Sequence, residues 1–153
     1  MKIRSLALTG AWLILTASQA NAQASVQPAQ IGRWITESGN LEVEIASCGD
    51  VLCGTVTRVL ANRSMGAPGQ TMDAADKRPA LGMKILTGLR PSGDGELGGE
   101  IYNRENAKTY AVRLTMDGAE QMLVRPYLGL PLFGKTQLWR RVSEHGQAKE
   151  AAQ

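Results

Sequence analysis

Two cysteines carry the most recognisable chemistry in this sequence. Cys48 and Cys53 are its only cysteines, and they flank a four-residue turn between two segments that have the pattern of strands. In an oxidising compartment this spacing favours an intrachain disulfide that fastens the hairpin. Thiol redox chemistry favours Cys-x-x-Cys at the start of a helix, and a metal site needs further ligands. We therefore expect a structural crosslink, without a metal or another cofactor.

The other reactive residue types do not form a catalytic pattern. His145 is the only histidine, and it lies in a polar C-terminal segment where packing would not hold it in a triad. Carboxylates such as Glu100 and Glu120 lie near strand ends without a spacing that marks an acid/base pair. The glycines of residues 93–99 lack the Gly-Lys-Ser/Thr sequence and the helix of a phosphate loop. We expect a protein that is not an enzyme.

A basic cluster beside a long loop is the best candidate for binding chemistry. Arg78 and Lys84 could orient the carboxylate or phosphate of a ligand at the mouth of a cavity. The alternative is that Arg78 makes a structural hydrogen bond, since a loop of this length needs anchoring. Tyr102 and Tyr110 could line an adaptable cavity, or they could fill a solid core. These four residues are the candidate ligand contacts.

The elements that must position these residues are short extended segments. Eight of them are separated by turn residues at fairly regular intervals, a pattern typical of a β-sandwich or barrel. They are residues 32–36, 41–47, 52–60, 83–89, 99–102, 109–116, 122–126 and 137–142. Because most connections are short, we predict an all-β domain, an eight-stranded antiparallel up-and-down β-barrel, which leaves no sheet edge exposed.

Within a strand, alternation predicts one buried face and one solvated face. In the second segment Val43 and Ile45 alternate with Glu42 and Glu44, so both carboxylates are expected in solvent.

Residues 61–80 are the exception to the short connections. A loop of about twenty residues is uncommon inside a compact domain unless it is functional or disordered. We expect a lid there, with a short helical turn near Ala74 and Ala75.

The N-terminus has the features of a secretory signal peptide. A basic start with Lys2 and Arg4 precedes an apolar stretch at 6–16 and an A-x-A site that ends at Ala22. The apolar stretch is too short for a spanning helix. Cleavage between Ala22 and Gln23 predicts a protein of the periplasm or the medium, without stable membrane insertion. The expected domains are a signal peptide at 1–22, a polar leader at 23–30, the barrel at 31–143 and a flexible tail at 144–153.

The charge balance implies neither nucleic acid nor an anionic membrane surface as a partner. Lys2 and Arg4 account for two of the 17 basic residues, so the chain after Ala22 carries 15 basic and 14 acidic residues, a net charge of +1. The charges are mixed along the chain, without the basic stripe that phosphate backbones require.

Several short motifs together resemble the bacterial family DUF2147. The most specific is Cys48-Gly49-Asp50-Val51-Leu52-Cys53-Gly54. The others are Gly32-Arg33-Trp34, Val43-Glu44-Ile45, Arg78-Pro79-Ala80-Leu81-Gly82, Ile85-Leu86, Gly99-Glu100-Ile101-Tyr102, Thr109-Tyr110, Leu132-Phe133-Gly134 and Trp139-Arg140-Arg141. The resemblance covers nearly the whole chain after the signal peptide and implies an exported protein with a lipocalin-like β-barrel. It supplies no catalytic residues. Asn106-Ala107 stands where the family pattern has Ser-Gly.

A weaker resemblance is to the lipocalins proper, in a Gly-x-Trp on the first strand and a basic residue on the last. It implies that Trp34 closes one end of the barrel and that Arg140 or Arg141 packs on the indole in a cation–π contact.

The leading hypothesis for function is an exported barrel that binds a small, partly apolar or anionic molecule beneath the 61–80 loop. The alternative is a structural or protein-interaction module of the envelope that uses the apolar segment 126–133.

Overall fold

The computed structural model describes residues 27–143, so Ala22, Gln23 and His145 lie outside the described residues. Eight antiparallel strands each pair with the next, and the last pairs with the first to close a barrel. They are β1 (Gly32–Ile35), β2 (Leu41–Cys48), β3 (Val51–Val59), β4 (Lys84–Gly93), β5 (Glu96–Asn103), β6 (Lys108–Asp117), β7 (Gln121–Tyr127) and β8 (Gln137–Arg141). The predicted eight-stranded up-and-down barrel is confirmed.

The β4–β5 hairpin is longer than the sequence predicts. The Gly- and Pro-rich stretch 91–95 reads as a loop, yet β4 continues to Gly93 and only Asp94 and Gly95 form the turn. Pro91 lacks a backbone N–H, and the register shifts on both sides of it, between Thr87 and Arg90 and again between Pro91 and Gly93. Such irregular positions are where a strand tolerates proline.

The connections contain little helix. The helical turn expected near Ala74 and Ala75 is not formed, and the 61–80 loop is instead folded on itself by an isolated bridge between Arg63 and Thr71. A 3-10 turn occupies Pro131–Phe133 in the β7–β8 connection, where the fixed φ of a proline suits the first helical position. Within residues 27–143 no helix has the length and apolar character needed to cross a bilayer.

The two ends of the barrel differ. At one end the connections are the short turns after β2, β4 and β6, and we call this the closed end. At the other end lie the hairpin after β1, the 61–80 loop, the turn after β5 and the β7–β8 connection. We call this the open end.

The closed end is filled by Trp34, which is fully buried. Its indole Nε1 donates a hydrogen bond to the carbonyl of Gln30 (2.8 Å), and the guanidinium of Arg141 lies 4.2 Å from the ring centroid. Arg140, the other candidate, lies opposite Ile35 and is exposed. Gln30, which the sequence assigns to the polar leader, is buried and donates from Nε2 to the carbonyl of Gly95 (2.7 Å). The barrel's packed structure therefore begins before residue 31.

The predicted disulfide also lies at the closed end. Cys48 and Cys53 are bonded, with Cα atoms 5.9 Å apart, within the usual range for a disulfide. The bond links the two strands of the β2–β3 hairpin on either side of the Gly49-Asp50 turn. The expectation drawn from the spacing is confirmed.

The expectation for Glu42 is wrong, because its side chain is buried. The β2–β3 register shifts between Glu42 and Val43, which interrupts the simple alternation of the strand. Arg33 from β1 and Arg58 from β3 lie against the carboxylate, at 3.3 and 3.5 Å, and the Thr57 hydroxyl donates to it at 3.3 Å. The side chains of the neighbouring strands thus shield a carboxylate that alternation places in solvent. Glu44, by contrast, is exposed as expected.

Candidate functional site

The open end of the barrel leads into a cavity of about 390 Å³, within the usual range of roughly 300–1,000 Å³ for small-molecule sites. The ends of the strands that meet there line it, together with the two longest connections. Its inner surface is largely apolar and aromatic, formed by Leu41, Val59, Met65, Met72, Met83, Ile85, Ile101, Tyr102, Tyr110, Tyr127, Leu128, Phe133 and Trp139. The barrel is therefore hollow at this end and solid at the other.

The inner part of the cavity is built by buried side chains of three strands. Ile85 on β4, Ile101 on β5 and Trp139 on β8 each belong to the hydrophobic core and also line the cavity. The indole Nε1 of Trp139 donates to the side-chain oxygen of Gln137 (3.1 Å), another lining residue. The polar edge of this tryptophan is thus satisfied within the barrel, while its ring contributes apolar surface to the cavity.

Both tyrosines predicted from the sequence line the cavity. The Tyr102 hydroxyl donates to Asp76 Oδ2 (2.8 Å), and this bond to a carboxylate raises the pKa of the phenol. The Tyr110 hydroxyl accepts a hydrogen bond from Asn106 Nδ2 (2.8 Å). Each ring therefore faces the cavity with its hydroxyl held by a neighbour, which restricts its orientation.

Arg78 and Lys84 do not line the cavity. Arg78 forms a bidentate ion pair with Asp76, its Nε and Nη2 lying 3.0 and 2.5 Å from the two carboxylate oxygens. Lys84 is exposed at the start of β4, while the next residue, Ile85, lines the cavity. Since alternate residues face opposite sides of a strand, Lys84 lies on the outer face.

Two carboxylates fasten the 61–80 loop to β5 and to the β5–β6 turn. Asp76, within the loop, accepts hydrogen bonds from Arg78 and from Tyr102 on β5, and these bonds hold the pKa of its carboxyl well below the ordinary range. Glu105, in the turn, accepts from the Ser64 hydroxyl and the Met65 amide, which lowers its pKa. The loop is thus held over the open end at two separate points.

A third anchor joins the loop to the β1–β2 hairpin. The side chain of Asn40, which is buried, donates to the Arg63 carbonyl (2.7 Å) and accepts from the Arg63 amide (2.9 Å). The side-chain amide of Asn40 therefore makes the same pair of hydrogen bonds to Arg63 that the backbone of an adjacent strand would make. The sequence marks Asn40 only as a turn residue, so this role was missed.

Two residues that were not predicted from the sequence, Arg104 and Lys135, lie at the mouth of the cavity. They are the charged residues that line it within the described part of the chain, and both are cationic. Arg104 directly follows β5, and Lys135 lies two residues before β8. Their position at the open-end termini of strands is the one signal in the sequence that could have selected them.

No group of three or more histidine, cysteine, aspartate or glutamate side chains that could hold a metal ion occurs in residues 27–143. The polar groups that line the cavity are amides, hydroxyls and the two cations. The arrangement can enclose an apolar group and can offer hydrogen-bond donors at the mouth.

Comparison with known proteins places the chain in a family and a fold. Residues 32–141 match the family model described as "Uncharacterized protein conserved in bacteria (DUF2147)", whereas none of the curated proteins matches significantly. The chain is similar to a solved structure titled "Protein HP1028 from the human pathogen Helicobacter pylori belongs to the lipocalin family", with a TM-score of 0.58 and 19% sequence identity. The match covers 78% of this chain and 86% of the other, and it shows a shared fold. The chain belongs to the DUF2147 family and has a lipocalin-like β-barrel.

Proposed function

We propose that this protein binds a small, at least partly apolar molecule in the cavity at the open end of its barrel. The observation that carries the proposal is a space of about 390 Å³ with a largely apolar and aromatic lining. A solid core would have closed this space, since protein interiors pack without voids of such size. The lipocalin-like fold and the family favour a binding protein over an enzyme.

In this proposal Tyr102 and Tyr110 contact the ligand, and the 61–80 loop acts as a lid. Met65, Met72 and Ala80 of the loop line the cavity, so a ligand in the barrel would touch the loop directly. Flexible thioether side chains adapt to ligands of irregular shape. Arg78 supports the lid through Asp76 and has no direct contact with the ligand.

Native mass spectrometry of the protein purified from its own cells tests the proposal. We expect an additional mass on the folded protein that is lost on denaturation. Ala80→Phe, which places a ring in the cavity, should reduce the retained mass, whereas Ala46→Phe on the exposed outer face of β2 should not. A protein that retains nothing and binds no apolar probe in titrations would refute the proposal.

We further propose that the chain is exported and begins at Gln23 after processing. The features of residues 1–22 support this, and the Cys48–Cys53 bond is of the kind that persists in oxidising compartments. The intact mass of protein from an envelope fraction should correspond to the chain from Gln23 with both cysteines oxidised. A mass that still includes residues 1–22 would contradict the proposal.

A further inference from the structure

We infer that the ligand is an anionic amphiphile, whose carboxylate or phosphate head contacts Arg104 and Lys135 while its apolar part occupies the cavity. The inference rests on the proposed function and names the chemical class of the ligand. It depends on the charges at the mouth of the cavity rather than on its volume.

The lining of the cavity carries charge of one sign only. Among the described residues that form it, Arg104 and Lys135 are cationic and none is aspartate or glutamate. An apolar cleft with charge of one sign at its entrance attracts the opposite charge, because its low-dielectric walls focus the field. A cationic ligand would meet repulsion there without a compensating carboxylate.

Neither cation forms an ion pair with a residue of the described chain. The Nε of Arg104 donates to the Arg78 carbonyl (2.9 Å), which orients the guanidinium and leaves its terminal nitrogens free of protein partners in residues 27–143. Lys135 makes no hydrogen bond or ion pair to that part of the protein. A preoriented guanidinium with free donors is suited to a planar or tetrahedral anion.

The described acids at this end form no ion pair with Arg104 or Lys135, including Glu37, which accepts a hydrogen bond from the Leu138 amide (3.2 Å). Asp73 pairs with Lys77, Asp76 binds Arg78 and Tyr102, and Glu105 binds the backbone and hydroxyl of residues 64–66. At this end of the barrel Asp76 and Glu105 thus hold the lid, whereas the two cations of the cavity mouth are available to a ligand.

Isothermal titration calorimetry with dodecanoate, dodecyl phosphate and dodecanol separates the head group from the chain. We expect the better of the two anions to bind roughly tenfold more tightly than the alcohol, the usual effect of a charge-assisted hydrogen bond. Lys135→Gln should weaken anion binding several-fold and leave dodecanol unaffected. Arg104→Gln should act in the same way, and Lys84→Gln and Arg140→Gln, whose side chains lie outside the cavity, serve as controls.

The outcomes distinguish the inference from the proposed function. Equal affinity for the anions and the alcohol, unchanged in Lys135→Gln, would overturn the anionic head and leave a binding barrel standing. Failure of all three compounds to bind would count against both. If one anion binds more tightly than the other, the difference identifies the head group as carboxylate or phosphate, and either result supports the inference.

A different observation carries a second inference, that the open end docks on the surface of an anionic lipid bilayer. Eight large apolar side chains of the described chain are exposed: Val59, Leu60, Met65, Leu81, Leu128, Leu130, Leu132 and Phe133. All of them lie on segments at the open end. An exposed apolar patch of this kind marks an interaction surface.

The β7–β8 connection presents the most exposed part of this patch. Leu130 is 62% and Leu132 is 79% exposed, and Arg125 holds the connection in this shape by donating to the carbonyls of Pro131 (2.6 Å) and Leu132 (3.0 Å). Arg125 and Lys135 flank the exposed leucines, and residues 121–143 contain no acidic side chain. Apolar side chains beside cations are the chemistry that anionic lipid surfaces bind.

Vesicle sedimentation tests the docking surface with phosphatidylcholine alone and with an equal part of phosphatidylglycerol. We expect binding to the anionic vesicles that weakens with added salt. The double variant Leu130→Ser/Leu132→Ser should reduce binding by roughly tenfold or more. Because neither leucine lines the cavity, the variant should still bind dodecanoate, and Ala46→Ser/Ala119→Ser, exposed at the closed end, should behave as wild type.

Absence of binding to both vesicle types would overturn this second inference, as would a dimer in solution that buries the two leucines. Equal binding of the double variant and the wild type would also overturn it. None of these results bears on the cavity, since dodecanoate titration reports on the cavity independently.

Discussion

Gly32 has a specific physical role at the closed end of the barrel. Its φ is +131°, and a Cβ there would lie 2.6 Å from Nη1 of Arg141, whose guanidinium covers Trp34. The same guanidinium donates to the Ile31 carbonyl (3.0 Å). Glycine at this position therefore lets the arginine reach the indole and the backbone together.

We predict that Gly32→Ala lowers the free energy of unfolding by about 2–3 kcal/mol, since it adds backbone strain and displaces a cation–π partner. Urea unfolding followed by tryptophan fluorescence measures the change. Gly49→Ala is the control: φ is also positive there (+76°), but the added Cβ meets no atom within 4 Å. That variant should lose only about 1 kcal/mol. Equal losses would show that Arg141 is not displaced.

Glu42 allows a matched comparison of two carboxylates on one strand. Glu42→Gln removes the charge that faces Arg33 and Arg58, so we expect stability to fall by roughly 1–3 kcal/mol. Glu44→Gln, at the neighbouring exposed position, should change stability by less than about 0.5 kcal/mol. Chemical denaturation of both variants measures the difference. If the two variants lose similar amounts of unfolding free energy, solvent screens the contacts of Glu42 with Arg33 and Arg58.

The Asp76 carboxylate should make the anchoring of the 61–80 loop dependent on pH. Its folded-state pKa is lowered, so it stabilises the fold above the ordinary carboxyl pKa and loses that effect as pH falls through about 4 toward the lower folded-state value. We predict that Asp76→Asn is less stable than wild type at pH 7 and that the difference shrinks below about pH 4. Thermal unfolding across this range measures it. A difference that is constant with pH would refute the prediction.

At the scale of elements, the β5–β6 turn contains the one non-glycine residue with positive φ in the described chain. Ala107 has φ of +55°, in the left-handed region that glycine adopts without cost. It is the second residue of Asn106-Ala107, the pair that stands where the family resemblance implies Ser-Gly. Two hydrogen bonds of the Asn106 side chain maintain the geometry of the turn. Its Oδ1 accepts from the backbone amide of Lys108 (3.1 Å), and its Nδ2 donates to the hydroxyl of Tyr110 (2.8 Å).

We predict that Ala107→Gly stabilises the protein by about 1 kcal/mol, because relief of left-handed strain exceeds the entropy lost by the unfolded chain. A rise of roughly 4 °C in the melting temperature should accompany it. Ala119→Gly in the β6–β7 turn serves as the control, since Ala119 is absent from the residues with positive φ. A fall in the stability of Ala107→Gly would show that the alanine is not strained.

At the scale of the whole molecule, the two ends of the barrel have opposite constructions. The closed end combines a buried tryptophan, a buried glutamine and a disulfide, whereas the open end combines a cavity with the 61–80 loop, which side chains hold in place. Ligand-binding regions belong to the less stable parts of a fold. If the cavity binds a ligand as proposed, we expect the closed end to be the more stable part of the barrel.

We predict that hydrogen exchange is fastest in residues 61–80 and slowest in the β2–β3 hairpin near the disulfide. A ligand in the cavity should slow exchange in the lid and in the β7–β8 connection, and it should leave the hairpin unchanged. Hydrogen–deuterium exchange with mass spectrometry measures both effects. Uniform protection along the chain would contradict this division.

Local patterns of the sequence determined the strand number, the antiparallel order and the crosslink. Period-two alternation and turn residues act within about ten residues of chain, so they identify all eight strands, and two cysteines across one hairpin are close in any register. Only the tertiary structure decided that Arg141 rather than Arg140 covers Trp34. It also decided that the side chain of Glu42 is buried. Finally, it decided which cations line the cavity: Arg104 and Lys135 do, whereas Arg78 and Lys84 do not. These outcomes depend on register, bulges and closure of the barrel, which bring together residues distant in sequence, and no pattern within a single strand contains that information.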